Sequence, residues 1–325
     1  MTREAPRPLF EIVRPFPLVA LLGRFLLEYG ALVRRARRWP DDDLLIRAAY
    51  RALLDREPDP SGAAYFRQEL RAGRLRRRGV LLGILRSREF RLLRELPMRP
   101  AEALHRGRVQ LIRECLPPAD DIVDLGGAAP EHPDGALLLM GYPHRARRIY
   151  VVDLLVDGAE THDAKAGRER ITADGTRVTR LGQSMASPLP LADASVDLVV
   201  AGESIEHVTE AEADALCREA YRVLRPGGSF CLDTPNAALT RLESPHALIH
   251  PDHKKEYQVD ELRAKLERWR FEVVEARGIC PMPESLKRGV LDYHEMVRNA
   301  LLVGKPEDGY LFYLRAIKRS PRSPS

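Results

Sequence analysis

The sequence predicts an α/β protein, a doubly wound and mostly parallel sheet preceded by a small all-α domain, and three observations point to it. From about residue 101 short apolar runs alternate with helical stretches, the pattern of parallel strands with helices on both faces. One of those runs, Asp121 to Gly127 (DIVDLGG), passes from a strand directly into glycines, a turn that lets backbone N–H groups approach a ligand closely. Ahead of residue 100 the pattern is helical and the charge differs. Residues 1–100 carry 22 arginines, no lysine and 12 acidic residues, a net +10, whereas the remainder carries −5. The predicted organisation is an amphipathic basic helix at 1–40, a small helical domain at 41–97, an α/β domain at 98–318 and a disordered polar tail at 319–325.

Composition bounds the rest. A chain of 325 residues with 44% hydrophobic and 30% charged residues builds real cores and suits one larger and one smaller domain. The four cysteines lie far apart with no C-x-x-C pair, which suggests neither a zinc ribbon nor a disulfide framework and fits a reducing, cytoplasmic setting. In residues 1–40 the stretch PFPLVALLGRFLLEYGALVRRARRW is interrupted by Arg24 and Glu28, so it reads as neither a membrane span nor a signal peptide. It reads as an amphipathic helix that packs on its neighbour or rests its arginines on an anionic membrane surface.

Residues 41–95 read as three short helices. Asp41 to Asp43 supply a cap after Pro40, EPDPSG makes a turn before AAYFRQEL, and VLLGILRSREFRLL follows the break at Gly73. Tyr50, Leu53, Arg56, Pro58, Asp59, Gly62, Tyr65 and Ser87 to Phe90 together resemble a bacterial helical domain of unknown function. That domain often accompanies glycosyltransferases and methyltransferases of surface-polysaccharide pathways. The resemblance implies a glycan context, with Tyr50, Tyr65 and Phe66 expected in the core.

In the α/β part the predicted strands are IVDLGG, IYVVDLL, VDLVVAG and SFCLDT, then FEVVEARG and GYLFYLRAIKR as a final antiparallel pair, with a helix around LKRGVLDYHEMVRNALL inserted over the site. Over residues ~100–318 the chain resembles the class I S-adenosylmethionine-dependent methyltransferases, whose fold is Rossmann-like. The resemblance places Asp124, Gly126 and Gly127 in the first, cofactor-cradling motif, with Ala128 and Ala129 where a further glycine is usual. It makes Asp153 the acid that accepts the ribose hydroxyls, with Asp157 as the fallback, and puts the adenine beside Ser184 and Met185. The turn LRPGG, Leu224 to Gly228, is the family's structural mark.

After the strand VDLVVAG the chain reads GESIEHV. Two carboxylates and an imidazole, at Glu203, Glu206 and His207, make a hard, mixed oxygen and nitrogen site suited to Mg²⁺ or Mn²⁺, and a helical turn would project the first and last to one side. Downstream, HPDHKKEY offers His250 or His253. The combination resembles metal-assisted methyltransferases acting on small-RNA 2′-hydroxyls or catechol-like precursors, and implies a metal held by Glu203, Glu206, His207 and His253. A metal bound to neighbouring oxygens would orient them and acidify the one to be methylated, with His207 or His250 taking the proton. The competing arrangement is metal-free, with His207 as base or positioner. Thr234, Pro235 and Asn236 are expected at the substrate mouth.

The expected activity is methyl transfer from S-adenosylmethionine to a hydroxyl, on a sugar of a surface glycan or its precursor, in a cytoplasmic enzyme that can sit at the inner membrane surface. The alternatives are an RNA terminal 2′-O-methyltransferase and a binding or scaffold protein that keeps the fold. Nucleic acid is the less favoured partner, because the basic excess lies outside the α/β domain and aromatic residues are only 6%.

Overall fold

The computed structural model describes residues 41–54, 58–95, 100–129, 132, 134–154, 169–243, 248–250, 252–282, 284, 295, 297 and 301–319. The expectations for residues 1–40, for Asp157, for most of the helix at 286–302 and for residues 320–325 of the C-terminal tail lie outside them. The chain divides into two compact units, Met1–Glu95 and Leu96–Ser325.

The first unit contains α1 (Asp42–Leu54), α2 (Pro60–Arg71), α3 (Arg77–Leu85) and α4 (Arg88–Glu95). Asp41 caps the start of α1 by accepting from the Leu44 amide at 2.7 Å, and Leu45, Ile46, Ala49, Tyr50 and Leu53 form its buried stripe at helical spacing. Asp59 caps α2 in the same way, with Pro60 at the first turn. A Cβ at Gly62 would lie 2.2 Å from the Tyr50 hydroxyl, so glycine is what lets α1 and α2 approach here. The expected single helix over VLLGILRSREFRLL is two. It breaks at Arg86 and Ser87, whose hydroxyl accepts from the Phe90 amide at 3.0 Å and offers the backbone a fresh start. Tyr50 and Phe66 are core residues in edge-to-face contact, whereas Tyr65 is 55% exposed.

Among the described residues, the second unit begins with α5 (Pro100–Cys115) and then builds one nine-stranded sheet. In chain order it contains β1 (Asp121–Leu125), α6 (Ala136–Leu139), β2 (Arg148–Asp153), β3 (Glu169–Ile171), β4 (Arg177–Gly182), β5 (Val196–Gly202), a 3₁₀ turn (Ile205–His207) and α7 (Glu210–Val223). It continues with β6 (Leu224–Pro235), α8 (Ala237–Glu243), α9 (Val259–Arg268), β7 (Phe271–Pro281), β8 (Leu302–Val303) and β9 (Gly309–Lys318). The spatial order is β3-β4-β2-β1-β5-β6-β9-β7-β8. Strands β4, β2, β1, β5 and β6 run parallel, while β9 enters antiparallel between β6 and β7, as expected for the final pair.

Alternate residues of these strands feed two cores. Val123, Leu125, Val199, Ala201, Phe230 and Leu232 face the layer of α7 and α9, and Ile122, Leu198, Val200 and Cys231 face the layer of α5 and α6. Because both faces are covered, ligands are left the carboxyl edge of the parallel strands, where the order reverses between β2, β1 and β5.

Candidate active site

At that edge β1 hands over to Gly126, whose left-handed backbone (φ +72°) turns the chain while its amide donates to the Val152 carbonyl at 2.8 Å. A Cβ at Gly126 would lie 2.7 Å from the Ser204 Cβ, and one at Gly127 would lie 2.1 Å from the Asp124 carboxylate, so neither position admits a side chain without movement. The further glycine absent at Ala128 and Ala129 has a counterpart seven residues later. Gly135 (φ +90°) opens α6, and a Cβ there would meet Val151 at 2.9 Å and the Gly127 carbonyl at 3.1 Å. Its role is the close packing of loop, helix and strand that such turns need. The lone glycine before ALLLM was the available signal.

Asp153 ends β2 and reaches the same turn: its carboxylate accepts from the Ala128 amide at 3.1 Å and the Leu154 amide at 2.7 Å. Ser184 and Met185 follow β4, with Met185 packed against the core and the Ser184 hydroxyl accepting from the Ala186 amide at 3.2 Å. Strand β4 thus brings the third expected segment to the first two.

The floor of the site is acidic. Asp124, Asp233 and Glu206 are buried, and burial pushes Asp124 up to about 7, Asp233 up to about 6 and Glu206 well above the carboxylate range. Beside them the Ser204 hydroxyl is buried with no hydrogen-bond partner among the described residues. Among the described residues, the cation set among these acids is Arg108 of α5, which bridges Glu203 at 2.8 Å and Asp233 at 2.7 Å. Burial alone would lower its pKa, but Asp233 and Glu203 hold it firmly charged. Arg108 carried a sequence signal that went unused: it stands on the apolar face of its helix with Leu104, Leu111 and Ile112, where an arginine needs buried partners.

The E-x-x-E-H stretch is not one helical turn. Glu203 adopts a left-handed backbone (φ +45°), and the 3₁₀ turn begins only at Ile205. Glu203 therefore points to Arg108, while Glu206, His207 and His253 gather with their candidate ligand atoms within 4.8 Å of one another. Of the four residues expected around a metal, Glu206, His207 and His253 come together and Glu203 does not join them.

Backbone bonds bring His253 there, since the Lys254 and Lys255 amides donate to the Glu206 carbonyl at 2.7 and 3.2 Å. The Glu256 carboxylate contacts His253 Nδ1 at 2.7 Å and accepts from the Thr240 hydroxyl at 2.6 Å and the Ile249 amide at 2.9 Å. Although burial opposes it, these bonds keep Glu256 below the usual carboxylate range. The Thr234 hydroxyl, at the end of β6, donates to Glu206 at 2.9 Å. His250 lies beside the trio, its ring 5.2 Å from that of His253 and 6.2 Å from that of His207, and its Nδ1 accepts from the Asp252 amide at 3.3 Å. Burial, then the neighbouring His253, lowers the pKa of His207.

Parts of the chain are similar to known proteins. Residues 135–232 match the methyltransferase domain family, and residues 37–93 match the domain of unknown function DUF4214. A probable S-adenosylmethionine-dependent methyltransferase of Mycolicibacterium smegmatis is 41% identical over 91 residues, 28% of this chain and 34% of the relative. One from Mycobacterium tuberculosis is 39% identical over 84 residues, 26% of this chain and 30% of the relative. The matched segments thus span about a third of those relatives' length.

Among solved structures, a methyltransferase of Thermotoga maritima aligns at 15% identity over 68% of this chain and 91% of its own, with a TM-score of 0.48. One of Archaeoglobus fulgidus aligns at 15% identity over 71% and 100%, with a TM-score of 0.43. The chain thus holds a segment at 135–232 that is similar to methyltransferase domains and, ahead of it, a segment at 37–93 that is similar to the DUF4214 domain.

Proposed function

We propose that the protein is an O-methyltransferase that takes its methyl group from S-adenosylmethionine and acts on an acceptor with two neighbouring oxygens held at a divalent cation. The observation that carries this reading is the meeting of the Glu206, His207 and His253 trio with the glycine cradle at one sheet edge. The site chemistry suits both groups. Among the described residues, three buried acids and Glu203 face a single arginine, an environment that favours a ligand bearing a sulfonium and an ammonium. Glu256 engages Nδ1 of His253 and so leaves Nε2 to a metal, the arrangement by which outer carboxylates orient ligating histidines.

S-Adenosylmethionine, when bound, supplies an electrophilic methyl group, and a divalent cation supplies Lewis acidity. The chain's own groups do the rest. Gly126 and Gly127 clear the space over β1, Asp124 balances positive charge, and Asp153 offers carboxylate oxygens to paired ribose hydroxyls. Ser184 and Met185 line the adenine side. Glu206, His207 and His253 hold the cation, and Thr234 fixes the Glu206 carboxylate at Oε2. His250, with the Asp252 amide on Nδ1, carries its neutral-state proton on Nε2, so we assign it to donate to the acceptor oxygen, while the hydroxyl proton lost on methylation would pass to solvent and S-adenosylhomocysteine would leave as the second product.

Because methyl transfer is an in-line displacement, such positioning accounts for much of the barrier reduction. We place the acceptor among sugar hydroxyls of surface glycans or their lipid-linked precursors, supported by the DUF4214 domain at 37–93 and its resemblance to partners of polysaccharide enzymes. The test is a methyl-transfer screen across nucleotide sugars, lipid-linked glycans and short RNAs, with and without Mn²⁺. Turnover on a glycan acceptor that a chelator abolishes supports the proposal. Turnover on RNA alone overturns the acceptor class, and turnover indifferent to chelator overturns the metal.

A further inference from the structure

We infer that Arg108 fixes the number of protein ligands at the cation site at three, by holding Glu203 in an ion pair away from the Glu206, His207 and His253 trio. The inference rests on the trio being a divalent-cation site. Arg108 grips in two directions, Nη1 to Glu203 Oε2 at 2.8 Å and Nε to Asp233 Oδ2 at 2.7 Å, and its side chain is only 14% exposed. A charge pair that far from water has no cheap alternative partner, so the grip is durable.

Two backbone features are built around it. A Cβ at Gly202 would lie 2.5 Å from Arg108 Nη2 and 3.0 Å from Asp233 Oδ1, so Gly202 is the clearance through which the guanidinium passes. The left-handed Glu203 backbone is secured by its own amide, which donates to the Asp233 carbonyl at 2.8 Å. Strain at a non-glycine residue persists only where its surroundings impose it, and here they turn the side chain toward α5.

The consequence is a specific donor set. Two imidazoles and one carboxylate leave open positions on an octahedral ion, enough for two acceptor oxygens and a water, whereas a fourth protein ligand would take one of them. The set is also richer in nitrogen than the sequence motif implies, which moves its preference from Mg²⁺ toward Mn²⁺ and other ions that accept imidazole.

The experiment is Mn²⁺ titration of the full chain, followed by electron paramagnetic resonance without cofactor or acceptor, with a thermal melt of each variant. Glu206→Gln is expected to weaken Mn²⁺ binding by about tenfold or more, while Glu203→Gln stays within about threefold of the wild type. Arg108→Met frees Glu203 to ligate and is expected to tighten binding by about tenfold, a gain that Glu203→Gln removes in that background. If Arg108→Met fails to fold, the comparison of Glu203→Gln with Glu206→Gln decides alone. Equal weakening by those two changes overturns the inference while leaving the metal site standing. No Mn²⁺ binding by folded wild-type protein at about millimolar ion overturns the metal site and the inference together.

Discussion

Replacing Gly127 by alanine puts the cradle to a quantitative test. The added methyl would sit 2.1 Å from both Cγ and Oδ2 of Asp124, more than an ångström inside ordinary contact. Asp124 is buried and its carboxylate accepts from the Leu137 amide at 3.4 Å, so neither it nor the start of α6 has free room to retreat. Overpacking of this kind costs about 1–3 kcal/mol. For a unit of this size that corresponds to a melting temperature lower by roughly 2–10 °C. The displaced turn should also weaken S-adenosylmethionine binding by at least about tenfold, because ångström-scale misplacement beside a reacting group is costly. Calorimetric titration and a thermal melt read the two effects separately. Gly304→Ala is the control, since nothing lies within 4 Å of a Cβ there and neither quantity should move. Full cofactor affinity in Gly127→Ala at an unchanged melting temperature would refute the reasoning.

Other expectations follow from the same geometry. Glu256→Gln should weaken Mn²⁺ binding by about 10- to 100-fold with little change in cofactor affinity, since it changes the partner that orients His253 and none of the groups assigned to the cofactor; unchanged Mn²⁺ affinity in a folded variant would count against the histidine as ligand. Asp124 sits near 7 because of burial, so binding of a cationic cofactor should expel its proton. Affinity should therefore rise between about pH 6 and 8 and its measured heat should depend on the buffer's ionisation enthalpy, whereas a flat profile would remove Asp124 from the cofactor's charge balance.

Asp121 is buried at the start of β1 between Arg147, Arg148 and Arg225, and although burial opposes it, their hydrogen bonds hold it below its ordinary value. A depressed carboxylate stabilises the fold above the unfolded-state pKa of about 4 and loses that contribution as pH falls through the folded-state value. Asp121→Asn should accordingly lower the melting temperature at neutral pH, with the gap closing as the pH drops below about 4. A gap that persists there would show that shape rather than charge is at stake.

The parts of this molecule that were legible in the sequence are those written in neighbouring residues. The run from Asp121 to Gly127 declares a strand and a close-approach turn within seven positions, and Asp153 stands at the end of an unmistakable apolar strand. Strand β4 was missed because RVTRLG carries two arginines and only two strongly apolar residues, and its inclusion depends on pairing with β2. The break at Ser87 was missed because the apolar pattern continues across it and only the side-chain cap marks the restart. Within the site, the spacing of Glu203, Glu206 and His207 suggested one ligand set. The division between them is imposed by Arg108, a residue 125 positions from Asp233 in the chain, and by a backbone angle that no spacing rule encodes. Glu256 is not legible as a site residue in HPDHKKEY, because its three hydrogen bonds, to His253, Thr240 and Ile249, exist only in the folded chain.

The most direct measurement is calorimetric titration of S-adenosylmethionine into the full chain, wild type beside Asp153→Ala. A saturable one-to-one isotherm with a dissociation constant below about 1 mM, weakened by at least about tenfold in the variant, is the predicted result. Folded wild-type protein that binds no cofactor at that concentration would contradict the account.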